Sequence, residues 1–85
     1  MTDRNVEQAV AQAVQRAYDR WAVEHPSLAR VIDRVTVAEQ TAESLRKSEA
    51  YRRAVAAYHR GRNELELIHQ LTDLAVPLVE RLLTG

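Results

Sequence analysis

Glu66 and His69 are the residues whose types and spacing most resemble a chemical site. They stand three residues apart in a stretch of helical periodicity, which puts both side chains on one helix face. Carboxylate-bridged metal sites in helical bundles use this Glu-x-x-His spacing, together with inward-facing glutamates from other helices. Glu39, Glu43 or Glu49 could supply the latter, and a dimer could bring two copies of the motif together. One copy is a weak signal, however. Glu66 also suits the third position of a capping box opened by Asn63, and both residues lie in the polar wedge of their helix. The solvated-face reading is therefore preferred, and neither a metal nor a cofactor is expected.

A second constellation is the basic run from 46 to 62. Arg46, Lys47, Arg52, Arg53, His59, Arg60 and Arg62 have only Glu49 as counter-charge within it. On a helix, Arg52, Arg53 and Arg60 oppose Tyr51, Ala54, Val55 and Tyr58, so the stretch is a basic amphipathic face. Such a face can meet phosphates, anionic lipid or an acidic partner. The plainer alternative pairs these cations with Glu7, Asp19 or Glu24 of the same chain. No helix-turn-helix pattern accompanies the arginines, so nucleic-acid binding is not expected and would be non-specific. His25, His59 and His69 with Ser27, Ser44 and Ser48 give no nucleophile-base spacing. No catalytic residue is assigned, and the chain does not read as an enzyme.

The elements that would position these groups are all helices. Two Gly and two Pro in 85 residues, with abundant Ala, Glu, Arg and Gln, favour helix throughout. Residues 3–24 read as the first helix, capped by Thr2 or Asp3. Val6, Val10, Ala13, Val14, Ala17 and Trp21 form its apolar stripe, and Ala9, Ala13 and Ala17 allow close helix approach. His25-Pro26 is a boundary, because the residue before Pro leaves the helical region while Pro suits the first helical position. Residues 26–60 carry the stripe Leu28, Val31, Ile32, Val35, Ala38, Ala42 and Leu45, after which the apolar face switches sides. Either the helix breaks near 47–48, with Ser48 capping a segment 49–60, or it runs on and changes partner. High helix propensity favours the continuous or merely kinked form, about 50 Å long, which would overhang a small monomer.

Residues 64–83 form the last helix. Gly61 ends the preceding helix, Asn63 caps the new one, and Pro77 sits in the polar wedge, where it bends the helix without breaking it. The apolar arc spans roughly 200°, about twice that of an ordinary surface helix. This helix needs apolar neighbours on more than one side. Leu65, Leu74, Val76, Val79 and Leu83, flanking its central stripe, are the candidate intermolecular surface.

Composition bounds the rest. The chain has 12 basic and 12 acidic residues, no Cys and no Phe. Disulfide and thiolate chemistry are absent, and net charge favours neither nucleic acid nor membrane. No signal-like run or membrane-length apolar segment occurs, and a cytoplasmic location is expected. Residues 42–57, with Leu45, Ser48-Glu49, Tyr51-Arg52 and Ala57, resemble the Ser-Glu-x-Tyr segment of the small helical YlbF/YmcA regulatory proteins. This resemblance covers under a fifth of the chain and assigns no residue a role. The expectation is a single all-α domain over 1–85, an antiparallel three-helix bundle that forms an intertwined homodimer. Its function would be non-enzymatic protein-protein interaction.

Overall fold

The computed structural model describes residues 4–61 and 63–84, and all regular structure among them is helical. The helices are α1 (Arg4–Glu24), α2 (Pro26–Ala29), α3 (Arg34–Lys47), α4 (Glu49–His59) and α5 (Glu64–Thr84). The capping expected at Thr2 or Asp3 lies outside the described residues. No helix among them is long and apolar enough to cross a membrane.

The longest helices, α1 and α5, make the most extensive contact. Their contact follows from the small residues on their facing sides. Ala9, Ala13 and Ala17 on α1 and Ala75 on α5 are fully buried, so the backbones approach without intervening bulk. Larger side chains fill the space around this alanine column in two clusters. One gathers Val6, Val10, Val14, Leu45, Leu67, Ile68 and Leu71; the other gathers Tyr18, Trp21, Val37 and Val79 around Ala17 and Ala75. Val6 and Leu67 share one cluster and Trp21 and Val79 the other, so α1 and α5 run in the same direction. Ion pairs from Glu7 to Arg46 and from Asp19 to Arg34 show α3 antiparallel to α1.

The middle of the chain departs from the expected 26–60 helix. It comprises three helices, which makes five among the described residues. Asp33 starts α3: its carboxylate accepts from the Val35 N–H at 3.0 Å and from the Thr36 hydroxyl at 2.8 Å. Ser48 ends α3 and starts α4. Its backbone is extended, its N–H donates to the Leu45 carbonyl at 3.0 Å, and its Oγ accepts from the Tyr51 N–H at 3.0 Å. These caps satisfy helix-end groups locally, and the break lets α4 turn its apolar side onto the first cluster. With no 50 Å helix, the overhang that suggested an intertwined dimer disappears.

The Asp33 hydrogen bonds, chiefly that from the Thr36 hydroxyl, hold its carboxyl pKa below the usual value. A carboxylate stabilised in the fold contributes above its unfolded pKa and loses that contribution as pH falls through the lower folded pKa. Asp33→Asn keeps a capping oxygen but removes the titration. The stability difference between wild type and this variant should therefore be constant near neutrality and shrink below about pH 4. Paired thermal melts across that range measure it.

Other sequence expectations fit the fold. Gly61 ends α4 at φ +113°, a left-handed value that suits glycine. Asn63 Oδ1 accepts from the Glu66 N–H at 2.7 Å, and α5 runs unbroken through Pro77. Two buried polar atoms have no partner among the described residues, the Trp21 ring nitrogen and the Thr41 hydroxyl. Thr72 is also buried, but its hydroxyl donates to the Ile68 carbonyl at 2.7 Å. Replacing either Thr by the similarly shaped Val separates the two situations. Thr41→Val should stabilise by about 1 kcal/mol, and Thr72→Val should cost up to about 1 kcal/mol. Urea denaturation of the two variants reads the difference in sign.

Candidate interaction surface

The wide apolar arc of α5 is met largely within the chain, because α1, α3 and α4 all pack against this helix. Among the five residues expected to face another molecule, Val79 is fully buried. Leu74 is half-buried against the first cluster, and Val76 and Leu83 are half-buried against the second. Leu65 is the most open, at 59% exposure. Val79 therefore has no surface to offer a partner, because the side of α5 that carries it is covered by α1 and its cluster.

Val23 near the end of α1 and Leu82 near the end of α5 are also exposed, and further apolar exposure lies around α2 and the start of α3. Val31 is 81% exposed, Val35 64% and Leu28 47%. The stripe containing them reads in sequence as a buried heptad seam. It is divided where the chain turns at 30–33: Ile32 packs against the second cluster, while Ala38, Ala42 and Leu45 join the first. Val35 borders an open groove of about 450 Å³ between α1 and α3. Buried Val10 and Val14 lie at its bottom, and Ala11, Gln15, Val35, Ala38, Glu39 and Ala42 line its sides.

Charged rungs close both ends of this groove. At one end Arg46 reaches Glu7 at 3.1 Å. At the other, Arg34 reaches Asp19 at 2.7 Å, with its guanidinium 5.3 Å from the centroid of the Tyr18 ring. The sequence spacing explains the pattern. On α1, Glu7, Ala11, Gln15 and Asp19 succeed one another at intervals of four; on α3, Arg34, Ala38, Ala42 and Arg46 do the same. Both columns are helix faces, and the helices are antiparallel, so acid meets base at each end and Ala11, Ala38, Ala42 and the polar Gln15 lie between. Neither Arg34 nor the groove was apparent from the sequence. The available signal was the matching interval of four in two separate segments.

The basic run is divided by its surroundings. Arg46 pairs with Glu7, the kind of in-chain partner that the plainer alternative requires, and Lys47 with Glu43 at 3.4 Å. Arg60 Nε donates to the Ala56 carbonyl at 3.4 Å. Arg52 and Arg53 are exposed on α4 and form no ion pair among the described residues. Arg62 lies outside the described residues. Desolvation raises the Tyr51 pKa; nearby Arg46 opposes this and Glu7 adds to it, so the phenol stays neutral around pH 7.

Glu66 is half-buried at the start of α5, with its N–H on the Asn63 cap, and His69 is exposed. Among the described residues no three His, Asp or Glu side chains gather as a metal-ligand set. His25 stacks on Trp21, with ring centroids 4.9 Å apart, and its Nδ1 lies 3.1 Å from the Trp21 carbonyl. No protein-family model matches the chain, and no curated protein or solved structure shows significant similarity to it.

Proposed function

We propose that this protein is a non-enzymatic interaction module that associates with a second copy of itself. The α1–α3 groove carries this reading. It has an apolar floor of Val10 and Val14, polar groups along its edges, and is open to solvent beside exposed Val35. Contiguous exposed apolar surface edged by polar groups is the usual mark of a protein contact. The proposed contact therefore moves from the α5 face to the opening between α1 and α3. Leu65 remains an isolated exposed residue, which by itself calls for no partner.

The anionic-surface alternative is less well supported. Within the basic run, Arg46 and Lys47 are already engaged by carboxylates, leaving Arg52 and Arg53 as adjacent open cations. Salt-sensitive nucleic-acid binders commonly make about six to ten phosphate contacts.

Light scattering coupled to size exclusion, from low to high micromolar protein, tests the assembly reading. The expected result is a mass that rises from one chain to two with concentration. A single-chain mass at high micromolar concentration would overturn it.

A further inference from the structure

We infer that two copies pair groove to groove about a two-fold axis parallel to α1 and α3, so that each α1 lies against the partner's α3. This inference rests on the assembly reading above and specifies its geometry. A two-fold contact must be self-complementary, since the same patch supplies both sides. At its two ends the groove carries acid on α1 and base on α3, Glu7 with Arg46 and Asp19 with Arg34; Gln15 of α1 and Glu39 of α3 line it between them.

Two simple dyads can bring this face onto itself, and charge separates them. An axis parallel to the helices preserves height along the groove and exchanges its borders. Glu7 then meets the Arg46 position of the second copy, and Asp19 meets the Arg34 position. An axis across the helices keeps the borders and inverts height. It places Glu7 against a second Asp19 and Arg46 against a second Arg34. Like-charge juxtaposition of that kind weakens association. The parallel axis is therefore selected.

The same register suits the centre of the contact. Within the chain, the interval of four on both helices sets Ala11 level with Ala42. The parallel dyad reproduces that level between copies, giving a waist of alanines where four antiparallel neighbouring helices approach closely. Val35, 64% exposed in the single chain, is covered there. Each arginine also comes within reach of a carboxylate on both chains.

A chain with reversed borders tests the axis without removing the pairs inside each copy. The variant E7R/D19R/R34E/R46E exchanges acid for base at both rungs, so its own α1–α3 pairs persist in reversed sense. It should homodimerise with an affinity within about tenfold of wild type, since exposed pairs contribute little individually. Mixed with wild type, it should form no mixed dimer in native mass spectrometry, because acid then faces acid across one contact and base faces base across the other. E7R/D19R alone makes both borders basic and should weaken homodimerisation about a hundredfold or more. Circular dichroism checks that each variant is helical. Statistical mixing, or preferential mixed dimers as the transverse axis requires, would overturn the inference while leaving the assembly reading intact. A wild-type chain that stays monomeric would overturn both.

Discussion

Leu71→Ala is expected to lower stability by about 2–5 kcal/mol, one of the two largest single-residue effects in this fold. Leu71 is fully buried in the first cluster, on the face of α5 that meets α1. Truncation removes the transfer free energy of the lost carbons and leaves a cavity. That cavity has little room to collapse, because the alanine column already holds the α1 and α5 backbones close together. An 85-residue domain has a total stability of about 4–13 kcal/mol. The loss should therefore lower the melting temperature by roughly 10–30 °C. Leu65→Ala on the same helix, at a 59% exposed position, is the control and should change stability by less than about 0.5 kcal/mol. Urea denaturation of both variants gives the comparison; similar losses would show that burial is not what separates the two leucines.

Ala13→Leu acts in the opposite sense and should also be severe. Ala13 is fully buried in α1, one turn from Ala9 and one from Ala17, which are buried equally. Leucine adds three carbons where α1 approaches α5. The side chain must take a strained rotamer or push the helices apart, at a cost of about 1–3 kcal/mol or more. Separation would also loosen Leu67, Ile68 and Leu71 behind it, which places the effect toward the upper end. The readout is the urea midpoint, expected to fall with an unchanged slope if the native fold persists. An unchanged midpoint would mean that the alanine column is not a close helix contact.

What the sequence conveyed depended on whether one element or several decided the outcome. The α1 stripe is legible because Val6, Val10, Ala13, Val14, Ala17 and Trp21 repeat at helical spacing and bury one face. The α4–α5 boundary is legible because Gly61 and Asn63 both mark it. The middle was harder. Propensity favours helix throughout 27–60, whereas Asp33 and Ser48 each contribute a cap that competes locally. Closing a chain onto its own core requires turns, and the apolar area that α3 and α4 bury by folding back decides between cap and continuation. No single segment contains that information.

Val79, expected to face another molecule, is covered for a related reason. The broad arc of α5 does require several neighbours, but α1, α3 and α4 supply them from the same chain. Conversely, Val31 and Val35 looked like core residues because their spacing continues that of Ala38, Ala42 and Leu45. The turn at 30–33 takes Val31 out of the seam, whereas Val35, in the first turn of α3, faces the open α1–α3 groove. Periodicity identifies which residues share a face; it does not specify whether the covering atoms come from the same molecule.

The position of Trp21 gives the protein a built-in optical reporter. It is the sole tryptophan, it belongs to the second cluster, and its indole is stacked on His25. Its emission therefore follows one end of the molecule, whereas far-ultraviolet dichroism averages over every helix. Superimposable melts from the two signals would mean that both clusters dissolve as one cooperative unit. An earlier fluorescence transition would reveal that the end bearing α2 loosens while the remainder is still wound.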